Sequence, residues 1–267
     1  MKRIIILLFC ICLYQNNIQA ALECNYVEFA RTYGIIRYFS PNPYTLKWSE
    51  SDWMKVCALL VSRSEKEPLE TVFKTLAPTL SFSDYPIASH DKSTESTGPA
   101  YYYSYSGSGE LNIPFLAKLI MPGLSDYMPY YKNFSMIPNN LNSDTIPISN
   151  RYYSYLVLDN KYLNIQHAMP KEIFDDKETH RLKTDAKSYW KNHHADDKSL
   201  SKSRRFIFGL LSDISVRAAD IVVRWNIVRH FYPYYNEDDL NWERQLEIYF
   251  GKAILMDDVN SYESLVK

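Results

Sequence analysis

The chain has 267 residues, 46% hydrophobic, 15% aromatic and 23% charged, with 30 Lys and Arg against 31 Asp and Glu for a net charge of −1. No basic excess advertises nucleic acid, and no acidic excess suggests a solvating tail. Glycine numbers only 7, with no two adjacent, whereas tyrosine numbers 23. Phosphate cradles, dinucleotide fingerprints and most nucleophile elbows need clustered glycines, so those chemistries are largely excluded and no cofactor is expected.

Residues 1–21 have the form of an export signal. Lys2 and Arg3 make a positive start, and Ile4 to Leu13 is an unbroken apolar run of ten residues. Ile18-Gln19-Ala20 then supplies a cleavage triplet. Ten residues are too few to span a bilayer, so the sequence predicts a cleaved signal over 1–20, a periplasmic or secreted product, and no membrane association afterwards. Phe9, Ile11 and Glu23 precede Cys10, Cys12 and Cys24, which argues against a lipid-modified cysteine. Cleavage removes two basic residues and leaves 28 against 31 acidic ones, a charge of −3. It also leaves only Cys24 and Cys57. In an oxidising compartment these two can form one disulfide; alternatively both are small buried hydrophobes.

Downstream, residues 21–81 read as a helical segment. Val27, Ala30, Ile35 or Ile36 and Phe39 recur at near-helical spacing, and Pro41-Asn42-Pro43 stops that element. Ser49 can cap a second helix with an apolar stripe of Trp53, Val56, Leu60 and Val61. Pro68 suits the first turn of a third, which carries Leu69, Val72, Phe73 and Leu76. Residues 82–99 form a polar linker ending in Gly98-Pro99. From 100 to 169 the period changes. Tyr101 to Tyr105, Leu111 to Met121 and Tyr152 to Leu158 are β-branched or aromatic runs punctuated by glycines and Asp159-Asn160, which predicts a small antiparallel sheet. Residues 170–204 are strongly charged and read as a loop or short solvated helix. Over 205–267 the helical period returns, first as one long amphipathic helix from Arg205 through Val228, ended by Pro233. A further helix follows from about Trp242 to Met256. The fold class is therefore α+β: two helical segments flanking a small antiparallel sheet.

The helical segments echo one another. Tyr33-Gly34-Ile35-Ile36-Arg37-Tyr38-Phe39-Ser40-Pro41 aligns without gaps onto Trp225-Asn226-Ile227-Val228-Arg229-His230-Phe231-Tyr232-Pro233, at a constant offset of 192. Each copy is followed by an Asp or Asn next to Trp, at Asp52-Trp53 and Asn241-Trp242. The leading aromatic and the Phe suit one buried face, the proline sets an exit angle, and the later Trp can pack back to close a hairpin. The arginine between them can bond last-turn carbonyls or an acidic partner. Arg37, Arg229, His230 and Tyr234 are accordingly the candidate partner-contact residues, although aromatic spacing of this kind equally describes a helix-pair core.

Two segments, "RYFSPNPY…SESDW" and "WNIVRHFYPYYNEDDLNW", resemble the paired helical segments in the N-terminal region of secreted bacterial tail-specific proteases, also called carboxyl-terminal processing peptidases. These enzymes use a Ser–Lys dyad. The resemblance implies an accessory region whose PDZ-like and protease parts would follow Lys267, and it carries over no catalytic residue onto this chain. The function it implies is scaffolding, substrate presentation or binding of a partner, either a protease domain or a peptide or protein substrate. The rival reading is an independent extracytoplasmic binding module that uses the Tyr-rich sheet for a peptide or polysaccharide.

Other constellations are weak. Ser-x-x-Lys occurs at Ser89–Lys92, Ser188–Lys191 and Ser199–Lys202, where composition alone supplies about two matches. All lie in polar segments that would not desolvate a lysine. His193-His194-Ala195-Asp196-Asp197 offers metal-ligand types, but adjacent side chains diverge, so no metal site is expected. The basic cluster of Lys198, Lys202, Arg204 and Arg205 suits a solvated helix start better than a nucleic-acid site. Tyr101 to Tyr105 and Tyr130-Tyr131 suit either an aromatic surface or a sheet core, because alternate residues of a strand face opposite sides.

Overall fold

A computed structural model describes residues 26–87, 100–108, 130–137, 152–158, 160–167, 169–193, 201–231 and 242–255. The signal segment, Cys24, the Leu111 to Met121 run, the Ser89–Lys92 pair and Tyr234 lie outside these residues. The chain is mixed helix and strand, as its periodicities predict. Helix α1 covers 26–39 and ends where Pro41 and Pro43 forbid continuation; Pro43–Thr45 then makes a 3-10 turn. Helix α2, Glu50–Ser64, starts at a complete capping box. The Ser49 side chain accepts from Asp52 N, and the Asp52 carboxylate accepts from Ser49 N. Helix α3, Leu69–Phe73, follows Pro68 and runs only five residues.

Among the described residues, six strands build two antiparallel sheets. One has the order β1 (Ser81–Ser83), β5 (Lys161–Gln166), β4 (Tyr152–Leu158); the other has β3 (Tyr130–Ile137), β2 (Ala100–Ser108), β6 (Met169–Pro170). In the first, Phe82 and Tyr155 both register on Leu163. The β4–β5 hairpin turns through Asn160, whose φ of 60° is a left-handed conformation that asparagine tolerates. Strand β1 straddles the boundary between the segment read from sequence as helical, 21–81, and the one read as a linker, 82–99. Ser-Phe-Ser is too short to show a period, and its pairing on β5 makes it a strand.

Two helical expectations need correction. The charged stretch after residue 170 contains α4, Asp176–Lys191, a 16-residue helix. It buries Thr179, Leu182, Ala186 and Trp190 against α2, so its stripe of contacts is real although sparse among charges. The single long helix from Arg205 is two: α5, Lys202–Ser212, and α6, Ile214–Phe231. Asp213 divides them. Its Oδ1 accepts from Ser215 N at 2.7 Å and Val216 N at 3.4 Å, starting a new helix where the apolar spacing continues unbroken. Helix α7, Trp242–Leu255, completes the chain's second hairpin.

Helix α1 is the element around which the others assemble. Buried residues occupy nearly every position from Tyr26 to Tyr38, so it has no solvent face. Phe29 packs on Phe73, Tyr26 stacks on Phe250 of α7 at 5.7 Å, and Arg31 Nη1 donates to Val157 O of β4 at 2.7 Å.

The internal echo is a structural duplication. The leading aromatic of each copy donates to the carbonyl of its own later tryptophan: Tyr33 Oη to Trp53 O at 3.2 Å, and Trp225 Nε1 to Trp242 O at 2.8 Å. The two hairpins, α1–α2 and α6–α7, then meet through equivalent residues. Asn226 lies on Gly34, its counterpart at the 192-residue offset, and the ring of His230 packs edge-on against its counterpart Tyr38 at 5.2 Å. A motif that contacts its own copy at matching positions has the arrangement of an isologous dimer interface, here within one chain.

Gly34 is obligatory at this crossing. A Cβ there would lie 1.7 Å from Asn226 Oδ1 and 3.0 Å from His230 Nε2, while Asn226 Nδ2 is tied to Ala30 O at 2.8 Å and Val222 O at 2.9 Å. Gly34→Ala is therefore expected to destabilise by about 3 kcal/mol or more, despite alanine's better helix propensity. Denaturant unfolding measures this. Asn226→Gly in the same chain should recover part of the loss, a non-additivity that independent sites would not show.

Candidate functional site

The crossing of the two hairpins places chemistry-bearing residues together at the C-terminal end of α1. Arg37 lies one turn beyond Tyr33, and its side chain is fully buried. Its Nη2 is hydrogen-bonded to Glu50 Oε2 in a buried ion pair. Its guanidinium carbon lies 5.1 Å from the Tyr38 ring centroid, 5.5 Å from Trp53 and 5.9 Å from Tyr33. Three aromatic faces and one carboxylate thus enclose the charge. The sequence offers Arg37 as a partner contact. The structure corrects this: the acidic partner is Glu50, thirteen residues along the same chain, and it sits at the start of α2 where the capping box fixes it.

The remaining candidates separate. Arg229 lies over the Trp225 ring at 4.8 Å and is half-buried, mirroring the Arg37–Tyr33 pair. His230 sits in the seam against Tyr38 and Phe39, where burial, aided by the Arg229 charge, pushes its pKa down to about 3. Tyr234 lies outside the described residues. Cys57 is buried with Sγ 4.0 Å from Ala219 O, and burial pushes its thiol well above the ordinary range. No disulfide occurs among the described residues, and Cys24 is outside them.

Sequence reasoning missed His167, which leaves strand β5 toward the same seam. Its ring is layered between Phe39, at 5.1 Å and 9°, and Tyr153, at 4.3 Å and 24°. Nε2 shares a hydrogen bond with the Tyr155 hydroxyl at 3.2 Å. Burial lowers the His167 pKa to about 4 and raises that of Tyr155 to about 12. Nothing in the alternation of β5 signals this residue, because its layer is completed by α1 and β4.

His193 is a different case. Its Nε2 lies 2.5 Å from Asp213 Oδ2, and its Nδ1 lies 2.8 Å from Tyr189 O. The Tyr189 hydroxyl donates to the same carboxylate at 2.7 Å. Burial tends to raise the Asp213 pKa, but hydrogen bonds from Tyr189 and His193 outweigh it and hold the carboxyl below the usual range. Both imidazole nitrogens face acceptors, so this His–Asp pair clamps α4 to the start of α6. Neither ring nitrogen is left open to a substrate.

A cleft of about 270 Å³ lies between the α2–α3 connection and the first sheet, lined by Glu28, Glu67, Glu70, Leu69, Phe82 and Lys161. Lys161 closes it from within by pairing with Glu28 and lying 4.9 Å from the Phe82 ring centroid. Among the described residues, no group of three or more His, Cys, Asp or Glu is placed to hold a metal, and no helix is long and apolar enough to cross a membrane. Of the Ser-x-x-Lys pairs, Ser188 and Lys191 are both exposed on α4, where nothing desolvates the lysine. No protein-family model, curated protein or solved structure matches the chain.

Two outcomes follow from these environments. Removing one partner of the buried pair, by Arg37→Met or Glu50→Gln, should destabilise by about 3–5 kcal/mol. Arg37→Met with Glu50→Leu should lose markedly less, since no charge is then stranded; equilibrium unfolding of the three variants checks this. The histidines act through proton uptake. Their folded pKa values, about 4 for His167 and about 3 for His230, lie below the value near 6.5 of an unfolded chain, so the unfolded state binds the extra protons. The stability they confer is complete above about pH 6.5 and falls as pH drops toward 4, with a slope approaching about 2.7 kcal/mol per unit for two protons. Denaturant midpoints between pH 7 and 4 should show this decline, and His167→Phe should roughly halve its slope.

Proposed function

We propose that this chain is an exported, non-catalytic accessory region of the kind found in tail-specific serine peptidases, serving as scaffold and presenting a substrate or partner to a Ser–Lys protease part. The supporting observation is what the motif residues do. Arg37, Trp53, Trp225 and Arg229, which carry the resemblance, pack a doubled helical hairpin together with Tyr33 of the internal echo, with Arg37 consumed in an internal ion pair. Such residues make a rigid frame and leave no nucleophile–base pair among them. The His–Asp pair at His193 is likewise occupied on both nitrogens.

A second reading, an extracytoplasmic module binding a peptide or polysaccharide, draws on Tyr153 and Leu156. They are 44% and 53% exposed on β4, which lies at the margin of its sheet. The mature chain, purified alone, should leave unfolded and peptide substrates with apolar C-termini intact and take no label from a serine-directed phosphonate. It should form a complex with a Ser–Lys peptidase body encoded in frame or adjacently. Turnover by the isolated chain would overturn the proposal. Binding of peptide or glycan that depends on Tyr153, with no complex formed, would favour the second reading.

A further inference from the structure

Away from the seam, the contact of α2 with α4 gathers lysines around one carboxylate. Lys183, Lys187 and Lys191 recur at four-residue intervals along α4, beside the stripe of Leu182, Ala186 and Trp190 that packs inward. The capping-box residue Asp52 meets them: its Oδ2 lies 2.7 Å from Lys183 Nζ and its Oδ1 lies 3.8 Å from Lys187 Nζ. Lys55 stands one turn further along α2, half-buried. Asp185, the acidic residue within this lysine row, is turned to Arg63 at 3.4 Å. Among the described residues, neither Lys55 nor Lys191 forms an ion pair.

The balance is therefore uneven. Asp52 also accepts the Ser49 backbone N–H and hydroxyl, and these bonds with Lys183 hold its carboxyl below the usual range against the effect of burial. It is saturated. Burial, together with the ammonium groups of Lys187, Lys183 and Lys191, lowers the pKa of Lys55 in spite of Asp52. Like charges one helical turn apart around a shared carboxylate repel, and an added anion relieves the repulsion. Lys187 is about half exposed and Lys191 lies at the surface, so an incoming group can reach them.

We propose that Lys55, Lys187 and Lys191, with Lys183 held in place by Asp52, form a surface site for a phosphate-class dianion. A phosphoryl group presents several acceptor oxygens to ammonium groups that act as point charges, so it needs no planar fork of the kind arginine supplies. The source is a free phosphate compound or a phosphate borne by a lipid headgroup. This site is independent of the accessory-region proposal and of the seam.

The test uses the whole mature chain with inorganic pyrophosphate and, separately, vesicles containing phosphatidic acid, at about 0.1 M salt. Pyrophosphate binding by calorimetry, or vesicle co-sedimentation, supports the site and tells the two sources apart. Lys187→Gln with Lys191→Gln should weaken whichever binding is found by about tenfold or more, and Lys252→Gln on α7 should not. Asp52→Asn, which keeps the acceptor for Ser49 N, should tighten it. Circular dichroism confirms that each variant is folded. The amine of Lys55, followed by NMR of the dimethylated protein, should titrate higher with pyrophosphate bound. No binding to either probe, or binding unchanged by the double lysine variant, overturns the proposal.

Discussion

Arg37 brings a permanent charge into the centre of the molecule, and much of the architecture exists to keep it there. A guanidinium taken out of water costs several kcal/mol unless its donors find acceptors and its faces find polarisable neighbours. Glu50 supplies the acceptor, and Tyr33, Tyr38 and Trp53 supply the faces. Each of these is positioned by something else. Tyr33 is anchored by its hydroxyl on Trp53 O, Tyr38 is backed by His230, and Glu50 stands at the N-terminus of α2 because Ser49 and Asp52 start the helix there. The prolines after α1 give the chain the exit it needs to bring Glu50 back to Arg37 within thirteen residues. Such a centre adds little net stability over an apolar one. What it adds is a single allowed register, since a slipped helix would strand the charge.

That requirement carries into the second hairpin. Tyr38 owes its orientation to His230, and the close approach of α6 that brings His230 in is possible only because Gly34 has no side chain where Asn226 enters. Asn226 Nδ2 in turn donates to two carbonyls, one on each helix, and this ties the crossing together. The neutral histidines belong to the same economy. Desolvation disfavours another cation in the seam, and at His230 the Arg229 charge adds to that effect. His167 and His230 therefore serve as aromatic rings whose nitrogens stay uncharged at neutral pH.

Much of this frame was legible before any coordinates. The proline stop after Phe39, the Ser49 cap and the echo between residues 33–41 and 225–233 are signals of strict spacing, and spacing survives folding. The misread elements fail for physical reasons. Asp213 ends one helix and starts another inside a continuous apolar period, because a cap needs only one side chain and leaves the spacing untouched. Helix α4 buries four positions among many charges, too few to outweigh its composition, yet Trp190 and Leu182 suffice once α2 is there to receive them. The site was less legible than the fold. Whether an arginine between aromatics faces water or an internal carboxylate depends on a hairpin closing thirteen residues later. His167 acquires its environment from β4 across the hairpin and from Phe39 of α1, which is remote from it in sequence.

The placement of chemistry bears on where function resides. Within the seam Arg37 is committed to Glu50 and His167 to Tyr155, and at the α4–α6 junction Asp213 holds both His193 and Tyr189. A catalytic centre keeps at least one group under-committed, so that a substrate can complete it. Those pairs are already engaged within the chain. Under-commitment appears instead at the surface. Lys55 and Lys191 lack a carboxylate among the described residues, and Tyr153 and Leu156 extend from the margin of the first sheet. The paired groups of the interior thus build a frame that carries these surface residues. The duplication makes that frame rigid, since each hairpin is packed by the counterpart of its own motif.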